Sequence, residues 1–278
     1  MKNLVFVFLP LLTFYVGHTQ DKVFDTHVHI WDGEKSVREY LTQLDTTDLT
    51  VTKFGGIYMA KKGQMEETRL KNNELITLSK KYPQLLPICS VHPMDGTEAI
   101  AELERIVKLG VNSIKLHPHK NSMDFDVTDE RVHSLCKKAG ELGVTVLMDN
   151  ASIVPGDCQK LFDLALRCPK TNFIFTHMGG LNFRFWNTLA LARTAEGLLG
   201  NNIYFDISAT VTLIVNSPLE EEFIWTMRNV GMDNILLGSD FPQFNLKQAI
   251  DAVEQLDLTQ EEKQKIRFGN AKKLLFPD

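Results

Sequence analysis

The chain has 278 residues, 44% hydrophobic, 23% charged and 9% aromatic, with a formal net charge of −5. That profile excludes a disordered tail, a collagen-like repeat, a miniature disulfide scaffold and a polytopic membrane protein. With 35 acidic against 30 basic side chains, neither nucleic acid nor an anionic membrane is expected as the main partner.

The first stretch, residues 1–20, places Lys2 before an apolar run from Leu4 to Val16, with small residues Gly17 and Thr19 after it. Charged, apolar and small regions in that order predict a secretory signal peptide. The run is shorter than the roughly 20 apolar residues of a membrane span, and Pro10 interrupts it. The alternatives are an N-terminal anchor or a first helix docked on the domain. Export to a periplasm or out of the cell is therefore expected. Residues 21–278 would then be one mature domain, without stable membrane insertion.

From residue 22 onward, short apolar runs alternate with amphipathic stretches such as Glu66–Lys81 and Thr97–Leu109. The runs are Val23–Ile30, Phe54–Met59, Leu85–Val91, Ser113–Leu116, Val144–Met148, Asn172–Thr176, Ile203–Ser208 and Asn234–Leu237. Strand patterns separated by helical ones predict βαβ units and a parallel sheet. Eight such runs, each followed by a helical stretch, fit a single α/β domain closed as a TIM-like (β/α)8 barrel. Gly110, Gly143 and Gly231 read as left-handed caps between helix and next strand. Ser217, Pro218 and Glu220 read as the start of a helix, with Ser217 as its N-cap, and Thr259 with Glu262 as a capping box.

Cys89, Cys136, Cys158 and Cys168 form no CxxC pair, which argues against a structural zinc site. A Cys158–Cys168 disulfide and buried free thiols both remain open.

Histidine placement carries the functional reading. Of eight histidines, His18 lies in the predicted signal and His133 in a predicted helix. The other six, His27, His29, His92, His117, His119 and His177, fall at or just past the carboxyl end of a predicted strand. In a (β/α)8 barrel that end is the catalytic face. His27 and His29, two apart, share one side of their strand, and two inward imidazoles suit a divalent metal. His177 closes NFIFTH, or alternatively bonds backbone carbonyls near Gly179 and Gly180. Asp240 follows the apolar run NILLGS, where a carboxylate is costly unless paired or metal-bound; a helix N-cap is the other reading. His27, His29, His177 and Asp240 together make a His3Asp set with room for water. Asp206 orients a histidine or accepts barrel-end hydrogen bonds. His117 and His119 flank Pro118 and either touch substrate or lie in a solvated loop, and His92 is similarly open.

These segments are similar to a known group. DTHVHIWD at 25–32, SIKLHPH at 113–119, FIFTHMGG at 173–180, IYFDIS at 203–208, ILLGSDFP at 235–242 and the closing IRFGNAKKLLF resemble the amidohydrolase superfamily, amidohydrolase-related branch. The resemblance implies that His27 and His29 are metal ligands, with one or two divalent ions bound, zinc first and manganese or iron as alternatives. It implies that Asp240 touches the metal and takes a proton from the attacking water. It gives His177 as a ligand or as the residue that positions or deprotonates the water. Asp149 stands where the family usually has a strand 5 histidine, either ligating through oxygen or marking an altered centre. Lys115 would be a carbamate bridging two ions, or an unmodified lysine pairing Asp149 or a substrate carboxylate.

The activity so implied is metal-dependent hydrolysis of an amide, lactone or ester in a small molecule. Non-oxidative decarboxylation, favoured by an inward arginine such as Arg38 or Arg184, and a non-catalytic ligand-binding barrel are the alternatives. A homo-oligomer is compatible with all three.

Overall fold

Apolar runs that must bury both faces become the staves of a barrel. The computed structural model describes residues 22–44 and 50–277, so the export signal expected over 1–20 lies outside the described residues. The strands are β1 (Lys22–His29), β2 (Thr50–Ile57), β3 (Leu85–Ile88), β4 (Ser113–Leu116), β5 (Thr145–Asp149), β6 (Phe173–Thr176), β7 (Ile203–Asp206) and β8 (Ile235–Leu236). Each stands on a run predicted from sequence. The outer layer comprises α1 (Glu34–Leu44), α2 (Met65–Lys81), α3 (Thr97–Lys108), α4 (Glu130–Glu141), α5 (Asp157–Arg167), α6 (Thr188–Ala192), α7 (Thr210–Ile214), α8 (Glu220–Val230) and α9 (Leu246–Gln255). Two short helices follow, α10 (Gln260–Gln264) and α11 (Asn270–Leu275).

Parallel pairing joins β1 to β2 to β3, and β4 through β8 in order. Two seams close the ring. At the first, Lys115 donates its N–H to the Cys89 carbonyl at 2.8 Å. At the second, Thr26 and His29 donate to the Leu237 and Phe241 carbonyls at 3.0 and 2.9 Å. The result is the single-domain (β/α)8 barrel expected from the alternation.

Inside the barrel, Phe24, Ile57, Leu86, Ile88, Leu147, Ile174 and Leu236 form an apolar floor, closed below by Ala271 and Leu275 of α11. Two residues further along β5 and β6, the same inward side carries Asp149 and Thr176. On β1, simple alternation from Phe24 would turn His27 and His29 outward. A register shift between Asp25 and Val28 reverses the parity, which is how a bulge re-aims side chains. Val28 then packs in the outer hydrophobic layer, and both histidines face the mouth.

Local predictions fare unevenly. Gly110 and Gly143 have positive φ just past their helices, and Gly231 does too, but its ψ of 118° takes it out of the left-handed helical region. Thr259 and Glu262 form the reciprocal capping box. Ser217 is not the N-cap of α8, which starts at Glu220 after Leu219. Its hydroxyl instead accepts the Leu219 N–H at 3.1 Å, closing a tight turn over Pro218 before the helix begins. A Cys158–Cys168 disulfide is excluded, because the two residues sit at opposite ends of α5, about 15 Å apart along its axis. All four cysteines are buried free thiols. No helix among the described residues is long and apolar enough to cross a membrane.

Candidate active site

A cavity of about 510 Å³ opens over the carboxyl ends of the strands, lined by His29, Trp31, His117, His119, Asp149, His177 and Asp240 among others. Its base is built on β1 and the chain just past β8. Asp240 has φ +65° and is held by its N–H donating to the His27 carbonyl at 2.9 Å. Gly238 makes the approach feasible, since a Cβ there would meet those of His27 and Ser208 at 2.9 and 3.0 Å. Asp25 fastens the same seam: Oδ1 accepts the N–H groups of His27 and Ser239 at 3.1 and 2.8 Å, and Oδ2 the Tyr40 hydroxyl at 2.9 Å. Burial lifts its carboxyl to about 6 against those bonds. Sequence reasoning missed Asp25, although a carboxylate inside the apolar run of strand 1 was a visible signal.

Two groups of ligand-type atoms meet in the mouth. In the first, the Asp240 carboxylate lies 3.1 Å from His29 Nε2 and 3.4 Å from His27 Nε2. The Nδ1 of His27 faces Asp206 Oδ2 at 3.0 Å, so Nδ1 carries the hydrogen and Nε2 presents its lone pair. Asp206 also accepts the N–H groups of His177 and Ser208 at 3.2 and 3.0 Å, combining the two roles expected of it. Burial, reinforced by Lys115, lowers His27 to about 4 and His29 to about 3, favouring neutral imidazoles. Two neutral nitrogens and a carboxylate oxygen, mutually within 4.8 Å, could hold a divalent cation.

The second group surrounds Asp149. His177 Nε2 and His117 Nε2 approach its Oδ2 at 3.3 and 3.5 Å, and His119 Nδ1 its Oδ1 at 3.5 Å. His177 Nδ1 faces the Ser208 carbonyl at 3.1 Å. Both nitrogens of His177 thus face acceptors. Burial alone would lower it, but Asp149, Asp206 and Asp240 lift it to about 9. Asp149, despite burial, is held well below the usual carboxylate range by His177, His117 and Lys115. Asp149 is thus grouped with His117 and His119, apart from His27, His29 and Asp240.

Lys115, fully buried on β4, donates to Thr176 Oγ1 at 3.1 Å and stands 3.5 Å from His27 Nε2. The direct pairing with Asp149 considered from sequence is replaced by these contacts, because Lys115 lies one alternation below the Asp149 level. Burial lowers its ammonium. His92 stays out of the site: Nε2 meets the Met123 carbonyl at 2.5 Å and Nδ1 accepts the Met94 N–H at 3.2 Å. Arg38 pairs with Glu34 on α1 and Arg184 with Glu222; neither lines the cavity. Trp31, stacked on His29 at 4.6 Å, and Ser208, between His27 and His177 at 3.1 and 3.0 Å, are site residues that sequence reasoning missed. The spacing of Ser208, two past Asp206, was the available clue.

Comparison with known proteins gives a consistent picture. Residues 24–276 match the family described as amidohydrolase. An uncharacterised TIM-barrel protein from Bordetella bronchiseptica superimposes with a TM-score of 0.72 at 17% identity, covering 91% of this chain and 98% of that one. A dihydroxybenzoic acid decarboxylase from Polaromonas sp., with bound manganese and 2-nitroresorcinol, gives 0.64 at 18% identity, covering 92% and 96%. A protein from Pseudomonas putida, provisionally a 2-pyrone-4,6-dicarboxylic acid hydrolase, gives 0.62 at 18% identity, covering 91% and 97%. No curated protein matches the chain. A barrel of this order with an HxH on β1, a histidine after β6 and an aspartate after β8, matched across nearly all its described length, belongs to the amidohydrolase family.

Proposed function

We propose that the protein is a metal-dependent hydrolase of a small amide, lactone or ester. His27, His29 and Asp240 would hold one divalent ion, and two nitrogens with one oxygen suit zinc before manganese or iron. When bound, the ion supplies Lewis acidity to an oxygen of substrate or water. Asp240 accepts the proton given up by the attacking water. His177, with acceptors facing both nitrogens, gives a proton to the leaving oxygen or nitrogen as its bond to carbon breaks. Asp206 positions His27, and unmodified Lys115 donates a hydrogen bond to Thr176 beneath it. The observation that carries this reading is the juxtaposition of His27 and His29, with Nε2 atoms on one carboxylate, and a proton-bearing His177 whose ring centroid is 5.1 Å from that of His27.

The second reading is non-oxidative decarboxylation, favoured by the likeness to the Polaromonas decarboxylase. Against it stands the lining of the cavity, which includes Lys61 but no arginine among the described residues. The discriminating experiment offers lactones, esters, amides and hydroxylated benzoates to zinc- or manganese-loaded protein in H2(18)O. Incorporation of (18)O into a carboxyl product without CO2 release is expected; CO2 release without incorporation would replace hydrolysis by decarboxylation. We also propose export, on the pattern of residues 1–20. Sequencing of the secreted product should begin near Gln20 or Asp21, and an intact Met1 there would reject cleavage.

A further inference from the structure

His117 and His119 straddle Pro118 just beyond β4, on a loop pinned to the barrel wall. The His117 carbonyl accepts the Met123 N–H at 3.2 Å, and the His119 carbonyl those of Ser122 and Asp124 at 3.0 and 3.1 Å. The loop holds both rings against Asp149, with His117 Nε2 and His119 Nδ1 each 3.5 Å from one of its carboxylate oxygens. The other nitrogen of His119 faces Asp157 Oδ2 at 3.2 Å. A carboxylate on the far nitrogen fixes the tautomer and turns the near nitrogen's lone pair inward. It is the arrangement that Asp206 imposes on His27 across the mouth. One ligand-type atom from each of His117, His119 and Asp149 lies within 4.8 Å of the others, and both rings are mostly buried.

We propose that His117, His119 and Asp149 form a second divalent-cation site, separate from His27, His29 and Asp240, with Asp157 as its positioning residue. Asp149 then serves this site instead of standing in for a strand 5 histidine at the first. Lys115 is not one of its ligands, since its ammonium is hydrogen-bonded to Thr176. Two imidazoles and one carboxylate select a zinc-like ion over calcium or magnesium. The site lines the same cavity as Asp240, so a cation here would meet an anionic oxygen of a bound small molecule.

The test is zinc content per chain after chelation and reloading of the full-length protein with Zn2+ alone. Two equivalents are expected in the wild type, and one each in His119→Ala and His27→Ala. Asp157→Asn should retain the second ion with affinity weaker by about 10- to 100-fold. Co2+ loading gives an independent readout: the visible absorption of the wild type should fall in His27→Ala and in His119→Ala, and vanish only when both are replaced. One equivalent in the wild type, lost in His27→Ala and kept in His119→Ala, would overturn the proposal and leave His117 and His119 as ion-pair partners of Asp149. One equivalent lost in His119→Ala and kept in His27→Ala would sustain it while removing the metal assigned to His27 and His29. Unchanged melting of the variants separates lost ligands from lost fold.

Discussion

The floor and the mouth of this barrel are made by the same strands and differ in almost everything else. Leu147 and Asp149 both point inward from β5, yet one packs against Ile174 and Leu236 and the other against three histidines. The floor is apolar, close-packed and sealed by α11. The mouth gathers Lys115, five histidines (His27, His29, His117, His119 and His177) and three aspartates (Asp149, Asp206 and Asp240), most of whose charged and polar atoms meet complementary ones. The lesson is that stability and chemistry are separated by one step of strand alternation: the floor supplies burial energy, while the mouth pairs most of its polar groups and leaves the Nδ1 atoms of His29 and His117 buried without a hydrogen bond.

The sharpest way to break this comparison is to remove mouth groups and look for lost stability. Asp240→Asn and His177→Ala should each lower kcat/KM by about 10²- to 10⁴-fold while melting close to wild type. Retained activity would remove Asp240 and His177 from the chemistry, and no turnover of any substrate by the wild type would favour the ligand-binding barrel. The converse variant, Leu147→Ala, should cost about 2–5 kcal/mol in denaturant unfolding and leave the zinc content of the folded protein unchanged. A lost metal there would show that floor and mouth are coupled. Asp206→Asn should weaken zinc binding by about 10- to 100-fold, since His27 loses the partner that fixes its tautomer. Zinc titration with a competing chelator measures it, and unchanged affinity would detach Asp206 from the metal.

The smallest effect lies in neither region. On the outer ring, the Arg228 guanidinium, helped by the Thr259 bonds, holds Glu262 down at about 2 against an ordinary 4.5. A depressed carboxyl contributes stability above its unfolded value and loses it as pH falls from 4.5 toward 2. Thermal melts of wild type and Glu262→Gln should therefore differ near neutrality and converge in acid. A difference that persists in acid would show that the Glu262 charge is not what the pair with Arg228 contributes.

Much of this was legible in the chain itself. Period-2 apolar runs, glycine-ended helices and the Thr259 box report local backbone and burial preferences, and these fixed the strand order and barrel class. The clustering of histidines at strand ends marked the catalytic face, and the motif resemblance supplied His27, His29, His177 and Asp240. What the chain could not reveal is set by contacts between residues far apart in sequence. The bulge that turns His27 inward arises from pairing with β2. The approach of Asp240 to His27 and His29 depends on a seam held by Asp25, Gly238 and Ser239 across more than two hundred residues. The company of Asp149 with His117, His119 and His177 joins three βα loops. Ionisation and ligand geometry follow from such convergence and burial, which only the closed barrel decides.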